Sequence, residues 1–204
     1  MTHGAEIFEL CLGKENYQEL ADKKSEKDFF TFQITGEAIR TTFPGFHEKI
    51  MAGFVEMLAF DALIGHNDRH PYNWGVIVPI RKSKPPRFAP VFDTARALFW
   101  NNPERRIIQM LNSDAQLEAY IDGCAPPIGW DGEDVAFFRL ISLISSSSVR
   151  YERLIQRFLN SAVLENAFGI LEKEFNLLMS PERRELIKRC LKRRQQMLKD
   201  ACGL

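Results

Sequence analysis

The most informative part of the sequence is residues 60–77, FDALIGHNDRHPYNWGVI, where an apolar run stops at a glycine and a polar loop follows. Upstream, residues 47–64 carry apolar side chains at helical spacing with small residues between them, which predicts a buried helix. The loop at 65–73 contains a glycine and a proline, and both disfavour continuation of that helix. The apolar run that begins at Trp74 then predicts a strand.

A second strand is predicted shortly downstream, so that this region forms a hairpin. Residues 74–80 are strand-like, the basic turn RKSKPP occupies 81–86, and 87–92 form another apolar run. The segment 88–100, FAPVFDTARALFW, places Asp93 directly after this hairpin. The predicted order is therefore buried helix, polar loop, hairpin and aspartate.

Three polar residues in this arrangement are typical of phosphoryl transfer, which needs a carboxylate near the attacking hydroxyl and oxygen ligands for magnesium. Asp68 and Asn73 lie five positions apart in the loop, and Asp93 follows the hairpin. The pattern predicts that Asp68 orients the hydroxyl or accepts its proton. It also predicts that Asn73 and Asp93 supply oxygen ligands to magnesium. On spacing alone, the alternative is that all three residues simply cap turns.

The two segments together resemble the C-terminal kinase domain of HipA-like proteins, which are bacterial serine/threonine kinases best known from toxin–antitoxin modules. That family typically has Ile-Gly-Asn-x-Asp-Arg-His-x-x-Asn and then Ala-Pro-x-x-Asp. The matching residues are Ile64, Gly65, Asp68, Arg69, His70, Asn73, Ala89, Pro90 and Asp93. The specific match covers about residues 54–100, and His66 departs from it, since the family often has Asn there. Phosphoinositide kinases share Asp-Arg-His-x-x-Asn but continue with Asp-Phe-Gly, where this chain has Asp-Thr-Ala.

The resemblance implies a serine/threonine kinase that uses ATP and Mg²⁺, with a protein hydroxyl as the acceptor. It makes Asp68 the catalytic aspartate, and it makes Asn73 and Asp93 the ligands of the nucleotide's magnesium. Arg69 and His70 would belong to the catalytic loop, where a cation near the phosphates offsets developing charge. For His70, holding the loop by hydrogen bonds is an equally good interpretation.

The chain is predicted to be a single kinase-like C-lobe domain over residues 1–204, without the upper lobe of a kinase. The sequence has no glycine-rich loop and no Val-Ala-x-Lys-like strand, and only about 45 residues precede the helix before the loop. A fragment, a split kinase whose upper lobe comes from another chain, and a degenerate relative remain open. We expect little ATP turnover from this chain alone, since each lost electrostatic group costs about 3–4 kcal/mol. The alternative function is a non-catalytic kinase-like module that docks a partner or an antitoxin protein.

The rest of the chain is predicted to be mostly helical, like the C-lobe of a protein kinase with its small β-hairpin. Residues 5–12, AEIFELCL, predict a short strand, and 13–28 predict a loop or short helix. Asp131 and Ser180 are predicted helix N-caps, and the serines at 145–148 are predicted to connect two helices. The predicted helices lie at 113–122, 133–144, 151–160, 161–178 and 181–200.

The composition does not single out nucleic acid or a membrane as a partner. The chain has 27 Lys plus Arg and 27 Asp plus Glu, and no apolar run is as long as a membrane helix needs. Four scattered cysteines without a Cys-x-x-Cys pair argue against zinc or a disulfide framework, and favour a cytoplasmic location.

The C-terminal segment at 181–200 is predicted to be a basic amphipathic helix. It holds eight Lys or Arg against three acidic residues, and Ile187, Cys190, Leu191 and Leu198 form an apolar stripe. A nucleic acid or an acidic partner is one interpretation of the basic face. The favoured interpretation is a solvated face that is balanced by acidic residues elsewhere.

Overall fold

The computed structural model describes residues 1–22, 30–80 and 84–204. Its contacts divide the chain into two compact units. The first unit comprises Met1–Leu58, Asp68–Thr94 and Pro126–Val135, and the second comprises Ala59–Asn67, Ala95–Ala125 and Ala136–Leu204. That the chain is a single domain stays a prediction.

The first unit combines helices with a small antiparallel sheet. The sheet has the order β1-β2-β3, with Thr2 opposite Val76 and Val76 opposite Phe88. Its elements are β1 (Thr2–His3), α1 (Gly4–Leu12), α2 (Lys14–Asp22), α3 (Phe32–Thr42), a 3₁₀ turn (Pro71–Asn73), β2 (Gly75–Ile77) and β3 (Arg87–Phe88). Helix α4 (His47–Ile64) begins in this unit and ends in the second.

Helix α1 replaces the strand that we predicted at residues 5–12, so this prediction was wrong. The backbone N–H of His3 donates to the Glu6 carboxylate at 2.6 Å, which satisfies a donor at the start of the helix. Ala5 and Phe8 are buried three positions apart, as on one face of a helix. Glu6, three positions after the N-cap His3, was therefore the better signal than the loose alternation. In the next segment α2 confirms the short helix, while residues 23–28 lie outside the described part of the chain.

Helix α4 has the bounds that the sequence predicts, and the apolar side chains predicted to be buried are buried. They are Ile50, Phe54, Met57, Leu58, Leu63 and Ile64. The predicted hairpin is present as β2 and β3, although its strands are shorter than expected and residues 81–83 of its turn are outside the described ranges. Trp74 joins these elements, because its ring lies 4.9 Å from that of Phe54 and stacks on that of Phe88.

Replacing Gly53 with alanine is expected to lower the free energy of unfolding by about 1 to 2 kcal/mol. Alanine normally stabilises a helix interior, but a Cβ at this position would lie 2.5 Å from the Cβ of Phe88. Overpacking then outweighs the gain in helix propensity. Urea denaturation measures the change.

The matched control for this substitution is Gly169→Ala, in an exposed part of a second-unit helix. A Cβ at Gly169 meets no atom within 4 Å, so this variant is expected to gain about 0.5 to 1 kcal/mol. If both variants were stabilised equally, the close approach of Gly53 to Phe88 would be contradicted.

The second unit is helical, and together with the first it confirms the predicted mostly helical fold with a small antiparallel sheet. Helices at 104–111 and 32–42 were not predicted, whereas the five predicted C-terminal helices are present with shifted ends. The second-unit helices are α5 (Glu104–Leu111), α6 (Asp114–Asp122), α7 (Phe137–Ser147), α8 (Val149–Leu159), α9 (Ser161–Glu174) and α10 (Pro181–Cys202). Among the described residues no helix is long and apolar enough to cross a bilayer.

The helix caps agree with the sequence at one position and differ at another. Ser180 caps α10, since its Oγ accepts the backbone N–H of Arg183 at 3.1 Å. Asp131 does not cap a helix, because it has φ 51° in a turn and α7 begins only at residue 137. Of the serines at 145–148, only Ser148 lies between helices, where its Oγ accepts from the backbone N–H of Arg150.

Helix α10 buries its predicted apolar stripe and pairs much of its basic face with acidic residues of the same unit. Ile187, Cys190, Leu191 and Leu198 are all buried. Arg194 is buried as well, and its Nε donates to the carbonyl of Ala62 at 2.8 Å. The ion pairs are Arg183–Glu104, Arg184–Glu172, Lys188–Glu172, Arg189–Asp114 and Arg193–Glu118. These contacts hold the helix against α5, α6 and α9.

Candidate active site

The first unit contains every residue that the sequence predicts for catalysis or metal binding. Asp68, Arg69, His70 and Asn73 lie on the loop after α4, and Asp93 lies in the segment after β3. Their proposed roles depend on how these two segments are held, and three of the side chains bond to backbone atoms.

Asn73 is oriented by its side-chain hydrogen bond. The residue is 6% exposed, and its amide nitrogen Nδ2 donates to the carbonyl of Asp68 at 2.8 Å. Because the nitrogen is used in this way, the amide oxygen is the atom that can coordinate a cation. This orientation suits the magnesium ligand that the sequence predicts.

Arg69 is buried and joins the two segments of the site. It is 1% exposed, and its Nη1 donates to the carbonyl of Asn73 at 2.6 Å and to that of Phe92 at 2.7 Å. The backbone next to both predicted magnesium ligands therefore lies within hydrogen-bond distance of one guanidinium nitrogen. This placement favours a positioning role for Arg69 rather than the direct charge stabilisation that the sequence suggested.

His70 forms a hydrogen bond within the loop, which fits one of the two interpretations from the sequence, and its catalytic role stays a prediction. Its Nδ1 accepts a hydrogen bond from the backbone N–H of Tyr72 at 3.3 Å. The residue itself directly precedes the 3₁₀ turn. His3, which sequence reasoning missed, bonds the carbonyl of the same Tyr72 through Nδ1 at 3.0 Å. Nothing in the sequence around His3 indicates this contact, because the partner is distant along the chain.

Asp93 has a backbone conformation that is rare for a residue with a side chain. Its φ is 50°, and its carboxylate is on an exposed residue. The left-handed region costs most L-residues about 1 to 2 kcal/mol, although Asp tolerates it better than bulkier residues. Such outliers cluster at functional sites, where the surrounding structure holds them. Here the hydrogen bond from Arg69 to Phe92 holds the preceding peptide.

The donor set fits magnesium that is shared with phosphate. The Asp93 carboxylate and the oriented Asn73 amide oxygen are hard ligands, and Mg²⁺ keeps several waters and takes one or two protein carboxylates alongside substrate phosphates. Within the described ranges, no group of three or more His, Cys, Asp or Glu side chains is placed to hold a metal. A magnesium ion held by Asn73 and Asp93 would take its other ligands from water or phosphate oxygens.

His66, which departs from the HipA-like pattern, lies in the second unit. It is 1% exposed, and its Nδ1 is 3.9 Å from a carboxylate oxygen of Asp61, which is equally buried. Its burial agrees with the expectation that this position shapes the loop and carries no proposed ligand.

Comparison with known proteins identifies a kinase of similar fold. No protein-family model and no curated protein sequence matches this chain. Among solved structures, the chain is similar to the Helicobacter pylori proinflammatory kinase CtkA, with a TM-score of 0.69 and 19% sequence identity. The alignment covers 86% of this chain, which spans 63% of the length of that kinase. The chain therefore has a kinase-like fold.

Proposed function

We propose that this chain carries the catalytic loop and magnesium ligands of a HipA-like serine/threonine protein kinase. The reaction would transfer the γ-phosphoryl group of ATP to a protein hydroxyl. The observation that carries this proposal is the hydrogen bonding of Arg69, which ties the carbonyl of Asn73 to that of Phe92. A random Asp-x-x-x-x-Asn loop has no reason to be joined in this way to the residue before a further aspartate.

Each side chain has a defined task in this proposal. Asp68 orients the acceptor hydroxyl and takes its proton as the bond to phosphorus forms. Asn73 and Asp93 hold Mg²⁺, which neutralises charge on the phosphates when it is bound. Arg69 keeps the backbone beside both ligands in place, and His70 holds the turn between Asp68 and Asn73.

The partners also belong to this proposal. The acceptor is a protein, and an upper lobe or an antitoxin would come from another segment or chain, as in toxin–antitoxin modules. The chain spans only part of the length of CtkA. We therefore propose, for this chain, only a part in the activity of a complete kinase.

Calorimetric titration of ATP in the presence of Mg²⁺, and again with EDTA, tests the proposal directly. We expect binding that requires Mg²⁺, measured on this chain alone and with the product of a neighbouring gene. Asn73 and Asp93 would contribute to ATP affinity only through the bound Mg²⁺. Chelation of Mg²⁺ by EDTA should therefore remove that contribution. Binding that is unchanged by EDTA, or absent under every condition, would contradict the proposal.

A non-catalytic module that docks a partner or an antitoxin is the second candidate. The observation in its favour is the exposed apolar pair Leu177 and Leu178, which are 92% and 75% exposed in the segment before α10. Exposed apolar side chains that lie together often mark protein-binding surfaces. Partner binding without Mg²⁺-dependent nucleotide binding would favour this candidate.

A further inference from the structure

The second unit contains a cavity that the catalytic residues do not use. Its volume is about 310 Å³, and its polar lining comes from Asn67, Arg96, Asn101 and Tyr120, with Trp100 on one side. Ligand pockets usually measure about 300–1,000 Å³, so this cavity is at the lower end. It suits one or two amino-acid side chains better than a nucleotide.

A strained turn directly precedes two residues of the cavity lining, Trp100 and Asn101. Leu98 and Phe99 have φ values of 49° and 67°, although neither is glycine. The Phe99 ring is buried and stacks on that of Tyr120 at 4.2 Å, and the Phe99 N–H donates to the Tyr120 hydroxyl at 2.8 Å. These contacts preserve a conformation that the two residues would not otherwise favour.

Arg183 fixes the same turn from helix α10. Its Nη1 donates to the carbonyl of Phe99 at 3.1 Å, and its Nη2 donates to that of Asn102 at 2.6 Å. Its Nε donates to Glu104, whose carboxylate also accepts from the hydroxyl of Ser180. The hydrogen bonds from Ser180 and Arg183 lower the pKa of Glu104 below its usual value. These hydrogen bonds thus hold the residues on either side of Trp100 and Asn101.

The chemistry of the lining favours an anion. Among the described side chains around the cavity, Arg96 has the sole formal charge, since burial raises the pKa of Tyr120 and of Cys124 and keeps both neutral. The Arg96 guanidinium lies 5.6 Å from the centre of the Trp100 ring. A guanidinium has five N–H donors, so it can donate to a carboxylate while keeping another partner. The amides of Asn67 and Asn101 add further donors.

We propose that this cavity binds an acidic side chain of the acceptor protein, close in sequence to the hydroxyl that is phosphorylated. The inference rests on the proposed kinase function. Asn67 of the cavity lining directly precedes Asp68 in the chain. Consecutive Cα atoms are about 3.8 Å apart, so the backbone of the lining residue Asn67 adjoins that of Asp68. The acceptor is thus an acidic peptide segment.

Binding of labelled synthetic peptides to the full chain tests this inference without requiring phosphoryl transfer. The two probes share a central Ser and differ only in having Glu or Lys on either side of it. Fluorescence anisotropy should show about tenfold tighter binding of the Glu peptide, as expected for one charge-assisted contact. Arg96→Ala should remove this preference, whereas Arg105→Ala, at an exposed arginine of α5, should retain it. Equal affinities, or no binding of either peptide, would overturn the inference.

Charge reversal separates a specific contact from a general loss of folding. Arg96→Glu should prefer the Lys peptide, and a misfolded variant would bind neither probe. A peptide preference without Mg²⁺-dependent nucleotide binding would keep this site and reject the kinase function. Mg²⁺-dependent nucleotide binding without a peptide preference would keep the kinase function and reject this peptide site.

Discussion

Replacing Asp93 with asparagine is expected to weaken Mg²⁺-dependent nucleotide binding by about a hundredfold. The variant keeps the side-chain shape and tolerates the left-handed backbone, since Asn adopts positive φ as readily as Asp. It removes the negative charge that would attract the metal. Isothermal calorimetry with ATP and Mg²⁺ measures the loss, while the affinity without Mg²⁺ should stay the same.

Asp131→Asn is the control for this experiment. Asp131 lies in the same unit, is also exposed and has φ 51°, so the two substitutions make the same change in the same backbone conformation. The nucleotide affinity of the Asp131→Asn variant should equal that of the unaltered chain. If the two variants behaved alike, Asp93 would not be a magnesium ligand.

Replacing Arg69 with methionine is expected to lower the free energy of unfolding by about 3 to 5 kcal/mol. Methionine fills much of the space of the arginine stem, but it cannot donate to the carbonyls of Asn73 and Phe92. Both carbonyls then lose a charge-assisted hydrogen bond. Asn73 is buried, so water cannot easily replace the lost donor at its carbonyl. Chemical denaturation followed by circular dichroism measures the loss.

Arg87→Met provides the comparison, because Arg87 is exposed on β3 of the same unit. A surface substitution of this kind should change stability by no more than about 0.5 kcal/mol. A similarly small effect at Arg69 would show that its hydrogen bonds do not hold the site. The positioning role would then be abandoned, and with it the main support for the proposed function.

The elements that the sequence predicted well are those whose signals are local. A long apolar run that ends at Gly65 predicts helix α4. Two apolar runs around a basic turn predict the hairpin. Residues 5–12 were misread because a run of eight residues fits a helix or a strand almost equally well. Helix α5 was not predicted, and its N-cap Pro103 offers no side-chain capping group as a local signal.

The geometry of the candidate site depends on contacts that no local pattern contains. One hydrogen bond of Arg69 goes to the carbonyl of Phe92, which lies 23 positions away in the chain. The cavity of the second unit joins residues from Gly65 to Cys124 that share no motif. The positive φ of Asp93 likewise follows from how its neighbours are held. The sequence predicts which side chains belong to the site. It does not predict which of them would bind the metal or substrate and which hold the neighbouring backbone in position.

The three indole rings are unequally distributed between the two units, which makes them useful optical reporters. Trp74 is 1% exposed and Trp130 stacks on Phe32, both in the first unit, whereas Trp100 is 54% exposed in the second. In a Trp100→Phe variant, fluorescence follows the first unit alone, while far-ultraviolet circular dichroism follows the helices of both. Coincident denaturation curves would mean one cooperative folding unit. Separate curves would mean that the segment bearing Asp68 and Asp93 can melt while the helical remainder stays folded.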